Sequence, residues 1–272
     1  MIASSVAPAT AAGGTGPSGV AAESRRSHLV LSPHPDDAIW SAGGRISWWL
    51  GRGDLVRVLT VFDGAADAVL PGAWRHIADA GQRQAENGVA LSRLGATGIS
   101  GSLPDAALRA DEGAPRYSNP LRLFGPLHRR DETLIATVAS MIERLAGAGQ
   151  VAVHGPLAAG RHVDHVIVRR AAESVPGLAG QLTYYEDFPY RLAARDHVGL
   201  APRYEPVRLG PWLAASACYR TQIPALLGSR ALLLKALRAR AHGHGRAAGC
   251  RQADRVWVRP GTAGASPSAN SQ

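Results

Sequence analysis

The chain has 272 residues, of which 46% are hydrophobic, and a formal net charge of +9. This length allows one large domain or two small ones, with enough apolar residues for a substantial core. The longest apolar runs fall short of the roughly 18 residues of a membrane span, and the N-terminus lacks the basic start and apolar centre of a signal peptide. We therefore expect no integral membrane segment and residence in the cytoplasm.

The cysteine and arginine content argues against two further classes of protein. Cys218 and Cys250 are far apart and form no CxxC or CxxH spacing, so neither a disulfide framework nor a zinc ribbon is expected. The positive charge is concentrated in residues 230–259, which hold eight basic side chains against one acidic side chain. Trp257 is the only aromatic residue among them, which disfavours a stacking platform for single strands. We expect no nucleic-acid partner and a solvated or partner-facing basic segment, with contact to an anionic ligand or membrane surface as the alternative.

The two ends of the chain differ in composition from its middle. Residues 1–26 are rich in Ala, Gly, Ser and Pro and contain almost no large apolar residue, so we expect them to be disordered. The tail at 261–272 has the same character. The sequence shows no repeat and no clear linker between these ends and therefore predicts a single domain over residues 27–260.

Short apolar runs alternate with helical patterns along the middle of the chain. In chain order, the predicted elements are strand 28–32, helix 38–53, strand 55–63, helix 80–95, strand 97–101, helix 131–147, strand 151–155, helix 163–175 and strand 182–190. The continuous apolar run HLVLS is typical of a strand buried on both faces. The alternation predicts an α/β fold with a Rossmann-like, mostly parallel sheet and helices on both faces. Residues 102–128 are rich in turn formers and too long for a simple connection, so we expect a functional loop or lid.

Several polar clusters come soon after predicted strands. The first strand is followed by His34, Asp36 and Asp37, and the second ends at Asp63. Strand 151–155 is followed by His162, Asp164 and His165, and the run LTYYE in segment 182–190 ends at Glu186 and is followed by Asp187. Ligands of open α/β sheets bind outside the carboxyl ends of the strands. These side chains are therefore expected to converge on one rim of the sheet.

His34, Asp37 and His165 have the chemistry of a divalent metal site. Catalytic zinc takes three protein ligands from His and Asp or Glu and leaves one position open for water. His34 and Asp37 are three residues apart, so a turn can aim both at one point, and His165 would close the site on folding. This set suits Zn(II), although Fe(II) uses similar ligands. The alternative is that Asp36 or Asp37 caps the helix that begins near Ala38.

Three neighbouring polar residues suit the hydrolysis of an amide or ester. Asp36 would remain free beside the metal and act as general base toward its water. His162 would stabilise the oxyanion or protonate the leaving amine, and Asp164 would orient one of the two histidines that flank it in sequence. These residues would supply the parts for a reaction through a tetrahedral intermediate.

Four segments of the chain match the signatures of a known protein family. PHPDDAIWSAGG resembles an (A/P)HPDDE signature, and GRHVDHVIVRRA resembles a second signature that is usually written HPDH. RQAENGVALSRLG is similar to an Arg-x-x-Glu helix through Arg83 and Glu86, and ACYRTQIPAL to a Tyr-x-x-Gln segment through Tyr219 and Gln222. The four signatures are those of the PIG-L/LmbE family of zinc-dependent N-deacetylases. The chain resembles this family over about residues 28–258.

The resemblance implies a Rossmann-like fold and removal of an acyl group, most simply acetyl, from the amine of an amino sugar. It also implies the roles given above for the three metal ligands, the base and the assisting histidine. Two positions depart from the family pattern: Ala38 follows HPDD in place of an acidic residue, and Val163 replaces the proline of HPDH. Neither position is a proposed ligand.

Four residues are candidates for substrate binding, each with a structural alternative. Glu186 and Asp187 in YYEDFPYR could hold sugar hydroxyls beside an aromatic wall, or form a solvated acidic turn. This segment is similar to that of family members which deacetylate N-acetylglucosamine on natural products such as glycopeptide antibiotics. Asp63 could bind substrate or cap a strand end. Arg83 could bind substrate or form a salt bridge with Glu86 on the helix surface.

These observations predict a zinc-dependent N-deacetylase that acts on an amino sugar or a glycosylated natural product. One alternative is an amidase for a thiol conjugate or another N-acyl metabolite. A second is a Rossmann-like binding protein whose His and Asp residues are caps and turns. The second alternative lacks a GxGxxG after the first strand, since Gly43 and Gly44 come too late.

Overall fold

The structure is a computed structural model that describes residues 25–65, 79–147 and 151–261. The predicted disorder of residues 1–26 and 261–272 concerns positions that lie outside these ranges, apart from Arg25, Arg26 and Gly261. In chain order, the helices and strands are β1 (Ser27–Ser32), α1 (Asp37–Gly51), β2 (Leu55–Thr60), α2 (Ala80–Leu94), β3 (Thr97–Ser100), β4 (Ala110–Asp111), β5 (Ala114–Pro115), α3 (Glu132–Ala146), β6 (Val151–Pro156), α4 (Val163–Ser174), β7 (Thr183–Tyr185), β8 (Ala201–Pro206), α5 (Leu209–Ser216), α6 (Gln222–Leu227), α7 (Arg230–Ala247) and β9 (Ala253–Val258).

Seven strands form one sheet in the order β3-β2-β1-β6-β7-β9-β8. Neighbouring strands from β3 to β7 are parallel, and β9 pairs antiparallel with both β7 and β8. The predicted α/β fold with a mostly parallel sheet is therefore confirmed. The order changes direction at β1, because β2 lies on one side of it and β6 on the other, and such a switch point opens a crevice at the carboxyl ends of the two strands.

Helices cover both faces of the sheet. On one face, α1, α2, α5, α6 and α7 bury a cluster that includes Trp40, Ile46, Trp212 and Leu237. On the other face, α3 and α4 pack Val138, Ile142 and Ile167 against the strands. The apolar run of β1 contributes to both clusters, since Val30 belongs to the first and Leu29 and Leu31 to the second. This explains why the run shows no alternation of polar and apolar residues.

The glycine pair of the first helix allows α5 to approach α1 closely. A Cβ atom on Gly43 would lie 2.5 Å from Cδ1 of Trp212, and one on Gly44 would lie 2.9 Å from Val207 and from the same indole ring. Trp212 also donates a hydrogen bond through Nε1 to the carbonyl of Ile39 at 2.6 Å. The pair is therefore a packing feature of the helix that begins at the functional rim.

The basic segment 230–259 forms α7 and β9, and some of its charges are internal to the fold. Arg240 donates to Asp254 at 3.0 Å, and Arg255 donates to Glu186. Cys218 and Cys250 are free thiols. Over the residues that the structure describes, no helix is both long enough and apolar enough to cross a membrane.

Candidate active site

The predicted polar clusters gather at the carboxyl ends of β1, β2, β6 and β7. The turn that links β1 to α1 carries His34 and Asp36, and Asp37 is the first residue of the helix. His165 lies in the first turn of α4, which follows β6. Because these strands are parallel and adjacent, the segments that follow them meet at one rim, where the side chains are almost fully buried.

One oxygen of Asp37 lies between the two histidines predicted as metal ligands. Its Oδ2 is 3.1 Å from Nδ1 of His34 and 3.2 Å from Nε2 of His165. The same oxygen accepts the backbone N–H of His34 at 2.9 Å, which fixes the carboxylate against the turn. The structure therefore places one oxygen of Asp37 within 3.2 Å of a ring nitrogen of each predicted histidine ligand.

In each of these two histidines, the ring nitrogen that does not face Asp37 contacts a buried carboxylate. Nε2 of His34 lies 2.9 Å from Oδ2 of Asp164, and Nδ1 of His165 lies 2.6 Å from Oδ1 of Asp187. When these nitrogens donate their hydrogens outward, the lone pairs on Nδ1 of His34 and Nε2 of His165 face Asp37. Carboxylates that orient metal-binding histidines in this way are a regular feature of metal centres.

The two separations at Asp37 Oδ2 have the length expected when a carboxylate and a histidine share a cation. Two ligand atoms that bind one zinc ion at about 2.0–2.1 Å are about 3.3 Å apart, close to the separations of Asp37 Oδ2 from the two ring nitrogens. Nε2 of His165 is buried and has no hydrogen-bond partner with acceptable geometry, as expected for an atom whose partner is a cation. The residues present therefore fit a divalent metal.

Two groups of three side chains among the described residues have ligand atoms that all lie within 4.8 Å of one another. The first is His34, His162 and His165, and the second is His34, Asp105 and Asp164. The carboxylates of the second group are already paired, since Arg83 donates to Asp105 at 2.9 Å and Arg109 to Asp164 at 2.6 Å. Their positive charges disfavour a cation at that point.

Asp36 has an unusual backbone and a free carboxylate oxygen. Its φ angle is 97°, in the left-handed region that a non-glycine residue rarely adopts. Although Asp36 is the residue before α1, its side chain makes no capping hydrogen bond. Ser32 accepts the N–H of Ala38 instead, at 3.0 Å. The capping alternative for Asp36 is therefore wrong, and its buried Oδ2 has no hydrogen-bond partner. Burial and the neighbouring charge of Asp37 raise the pKa of Asp36 to about 8.

His162 lies beside the ligands as a neutral imidazole. Its Nδ1 accepts the N–H of Asp164 at 3.3 Å and so caps α4, and its ring meets the ring of His34 edge to face at 4.9 Å. Burial, reinforced by the charge of His34, lowers the pKa of His162 to about 3. With Nδ1 as an acceptor, Nε2 carries the hydrogen and can donate it to a developing oxyanion.

Asp164 orients a different histidine from the two considered in the sequence. It was expected to orient His162 or His165, but its Oδ2 contacts His34. The reason is geometric: in the first turn of α4, the side chain of Asp164 faces the turn after β1. Burial alone would raise the pKa of Asp164, but Arg109 and His34 outweigh burial and hold that pKa well below its ordinary range.

The structure also corrects the substrate roles predicted for Glu186 and Asp187. Asp187 contacts His165, accepts the N–H of Ala159 at 3.0 Å and is only 1% exposed, so a sugar cannot reach its carboxylate. Glu186 accepts Nε1 of Trp257 at 2.9 Å and points toward β9. Consecutive side chains of an extended segment project in opposite directions, which explains this division.

Asp63 and Arg83 line a small cavity next to the rim, together with Asp105, Phe62 and Leu108. Asp63 accepts the hydroxyl of Ser100 at 2.8 Å and the N–H of Ser102 at 2.9 Å, the bonding expected of a strand-end cap. Asp63 nevertheless also lines the cavity.

Arg83 does not pair with Glu86. The guanidinium of Arg83 donates to Asp105, whereas Glu86 accepts the N–H and hydroxyl of Thr221. Nε of Arg83 is buried and has no hydrogen-bond partner. The surface salt bridge considered for Arg83 is therefore wrong, and its guanidinium points toward the cavity.

Three site residues in the loop 102–128 were not predicted individually. Asp105 lies 3.5 Å from Nε2 of His34, Arg109 contacts Asp164, and the ring of Phe124 lies 5.4 Å from that of His162. Tyr190, which follows β7, places its ring 5.6 Å from that of His165. The loop was expected to be functional, but no periodicity or spacing distinguishes these positions within it.

Comparisons with known proteins identify the family and the fold of this chain. A family model described as PIG-L, GlcNAc-PI de-N-acetylase, matches residues 29–175, more than half of the chain. A 2'-N-acetylparomamine deacetylase from Streptomyces fradiae is 34% identical over 172 residues, which cover 60% of this chain and 57% of that protein. The match thus spans less than two thirds of that relative.

Two solved structures have the same fold over nearly the whole chain. The zinc-inhibited form of teicoplanin deacetylase has a TM-score of 0.71 at 23% identity, with 87% of this chain and 100% of that chain covered. The pseudoaglycone deacetylase Dbv21 has a TM-score of 0.63 at 26% identity, with 86% and 97% covered. The sheet and its surrounding helices therefore follow an established arrangement.

Proposed function

Since this chain belongs to the PIG-L family of GlcNAc-PI de-N-acetylases, we propose that it is a zinc-dependent hydrolase that removes an N-acetyl group from an amino sugar. The observation that carries the proposal is the position of Asp37 Oδ2, 3.1 Å from His34 and 3.2 Å from His165. Residues 27–260 act as one catalytic domain in this proposal, and Fe(II) is the other metal that the ligand set suits.

His34, Asp37 and His165 would hold the metal through Nδ1, Oδ2 and Nε2. A divalent cation bound there supplies a Lewis acid that polarises the amide carbonyl, lowers the pKa of water and opposes the raised pKa of Asp36. Asp164 and Asp187 keep the two imidazoles in the tautomers that leave these nitrogens free.

The chain's own residues perform the proton transfers. Oδ2 of Asp36 accepts a proton from the attacking water, and the oxygen of that water forms a bond to the amide carbon. Nε2–H of His162 donates a hydrogen bond to the oxyanion. Because the pKa of His162 is lowered to about 3, its imidazolium form is scarce at neutral pH. We therefore assign protonation of the departing amine to Asp36, as the C–N bond breaks.

The relatives support an amino sugar as the acyl acceptor. 2'-N-acetylparomamine and a pseudoaglycone are the substrates named for two of the similar deacetylases. In this proposal, Arg83 and Asp63 contact the sugar from the adjacent cavity, and a glycosylated natural product is the preferred substrate. A thiol conjugate or another N-acyl metabolite remains the competing substrate class, and it predicts hydrolysis without a sugar.

The experiment is acetate release from a panel of N-acetylglucosaminyl metabolites and N-acyl thiol conjugates, by chain that is stripped of metal and then reloaded. We expect release from the sugars only, and only after zinc is restored. Asp36→Asn should keep its zinc and lose about 10²- to 10⁴-fold in kcat, since it removes the base and leaves the ligands. A folded chain that neither binds zinc nor releases acetate from any compound would refute the proposal.

A further inference from the structure

We propose that Arg109 is a positioning residue for the metal centre, acting on His34 through Asp164. This inference rests on the proposed function, because it concerns the same metal site. Arg109 lies in the loop between β3 and α3, and its side chain is 1% exposed. A guanidinium so completely removed from water needs a reason in its contacts, since an unpaired buried charge is strongly destabilising.

The contacts of Arg109 tie its loop to the start of α4 and to the residue that precedes α3. Its Nη2 lies 2.6 Å from Oδ1 of Asp164 and 3.0 Å from Oδ2 of Asp131, and its Nη1 donates to the carbonyl of Pro104 at 3.1 Å. The guanidinium also lies 5.1 Å from the ring centre of Phe62. One planar cation thus joins two buried carboxylates, and a lysine has no such fork.

The two oxygens of the Asp164 carboxylate contact different residues, Arg109 on one side and His34 on the other. Oδ1 accepts from Arg109, while Oδ2 accepts the N–H of Ala106 at 2.9 Å and meets Nε2 of His34 at the same distance. With both oxygens occupied, the carboxylate cannot rotate without breaking several hydrogen bonds. The ring of His34 is therefore held in one orientation, with Nδ1 toward Asp37.

The contact with Asp164 also determines which nitrogen of His34 carries the hydrogen. An ionised Asp164 favours the tautomer of His34 that carries its hydrogen on Nε2, which leaves the Nδ1 lone pair for a cation. Removing the guanidinium leaves Oδ1 of Asp164 without its donor, so the carboxylate is no longer fixed from both sides against His34. Arg109, which lies in the loop after β3, thereby affects the metal affinity of the site without being a ligand.

Arg116 provides a matched control in the same network. It donates to Asp131 from the other side and to Asp111 at 2.9 Å, but it makes no contact with Asp164. Loss of Arg116 removes ion pairs to Asp131 and Asp111 in the same loop while leaving the link from Arg109 to His34 in place. The two substitutions therefore separate a general effect on the loop from a specific effect on the metal.

The test compares Arg109→Met, Arg109→Lys and Arg116→Met in full-length chain. Zn(II) affinity is measured by competition with a chromophoric chelator, and the ligand field by the visible spectrum of the Co(II)-loaded protein. We expect Arg109→Met to lose about 10- to 100-fold in affinity and to change the Co(II) spectrum. Arg109→Lys should recover part of the affinity, and Arg116→Met should match the unsubstituted chain in both readouts.

Equal affinity and an unchanged Co(II) spectrum in both Arg109 variants would overturn the inference and leave the proposed function intact. If Arg109→Met does not fold by circular dichroism, Arg109→Lys decides, with an expected loss of at least about threefold relative to Arg116→Met. If Arg116→Met loses as much affinity as the Arg109 variants, the effect is one of loop stability and the inference is wrong. An unsubstituted chain that binds no metal would overturn both the inference and the proposed function.

Discussion

Replacing Asp187 with asparagine removes the negative charge behind His165 while keeping the shape of the side chain. Asp187 accepts two hydrogen bonds, from Nδ1 of His165 at 2.6 Å and from the N–H of Ala159 at 3.0 Å. Asparagine has one oxygen, so its NH₂ group must face one of these donors. Either His165 loses its acceptor, or the buried N–H of Ala159 is left without a partner.

The expected loss is large because both side chains are buried, with 1% exposure for His165 and 0% for Asp187. Loss of a carboxylate that orients a metal-binding histidine lowers metal affinity by about 10- to 100-fold, which is about 1.4 to 2.8 kcal/mol. We expect Asp187→Asn to fall in the upper half of this range. The assay is competition for Zn(II) with a chelator of known affinity, on chain whose folding is checked by circular dichroism.

Glu186→Gln is the control, because this adjacent carboxylate points toward β9 and accepts from Trp257. It should bind zinc as tightly as the unsubstituted chain. If Asp187→Asn binds zinc with unchanged affinity, the carboxylate does not orient His165 for a metal. If both variants weaken binding equally, the effect comes from the segment after β7 as a whole.

Two further predictions concern stability. Gly43→Ala places a Cβ atom 2.5 Å from Cδ1 of Trp212, so we expect a loss of about 1–3 kcal/mol in urea unfolding, and an unchanged midpoint would show that the α1–α5 contact is not tight. Burial lowers the pKa of His154 well below its ordinary value. Below about pH 6.5 the unfolded chain takes up a proton that the folded chain refuses, and the free energy of unfolding falls by up to about 1.4 kcal/mol per pH unit. His154→Asn should reduce this slope between pH 6.5 and 5, and an identical slope would contradict the assignment.

The first strand could be predicted because it is buried on both faces. The run HLVLS gave β1 within one residue, and the predicted helix 80–95 ends one residue after α2. Strands β8 and β9 were missed, and for β8 the physical reason is clear. β8 is an edge strand with a proline at its second and last positions and partial exposure throughout, so it shows neither an apolar run nor an alternation.

The site was predictable where spacing along the chain determines geometry. His34 and Asp37 are joined by one turn, and His165 follows a parallel neighbour of β1, so their meeting follows from the fold. The partners of the histidines were not predictable in the same way. Which carboxylate faces which ring depends on the direction of each side chain in the folded state, and Asp187 was assigned to substrate for this reason.

Arg109 illustrates the remaining limit of sequence reasoning. Its segment, SLPDAALRADEG, has the composition of a surface loop, yet the guanidinium is among the most deeply buried polar groups in the described residues. Its environment comes from Asp131 at the start of α3 and from Asp164 in α4, which are 22 and 55 residues away in sequence. The local sequence around Arg109 therefore could not predict its pairing with these distant carboxylates.

The most direct measurement is the position of the metal in crystals of the zinc-loaded chain, located by anomalous scattering at the zinc edge. The account predicts one strong peak within bonding distance of Nδ1 of His34, Oδ2 of Asp37 and Nε2 of His165, with both oxygens of Asp36 unbound. A peak bonded instead to His34, Asp105 and Asp164, or no peak at this rim, would contradict it.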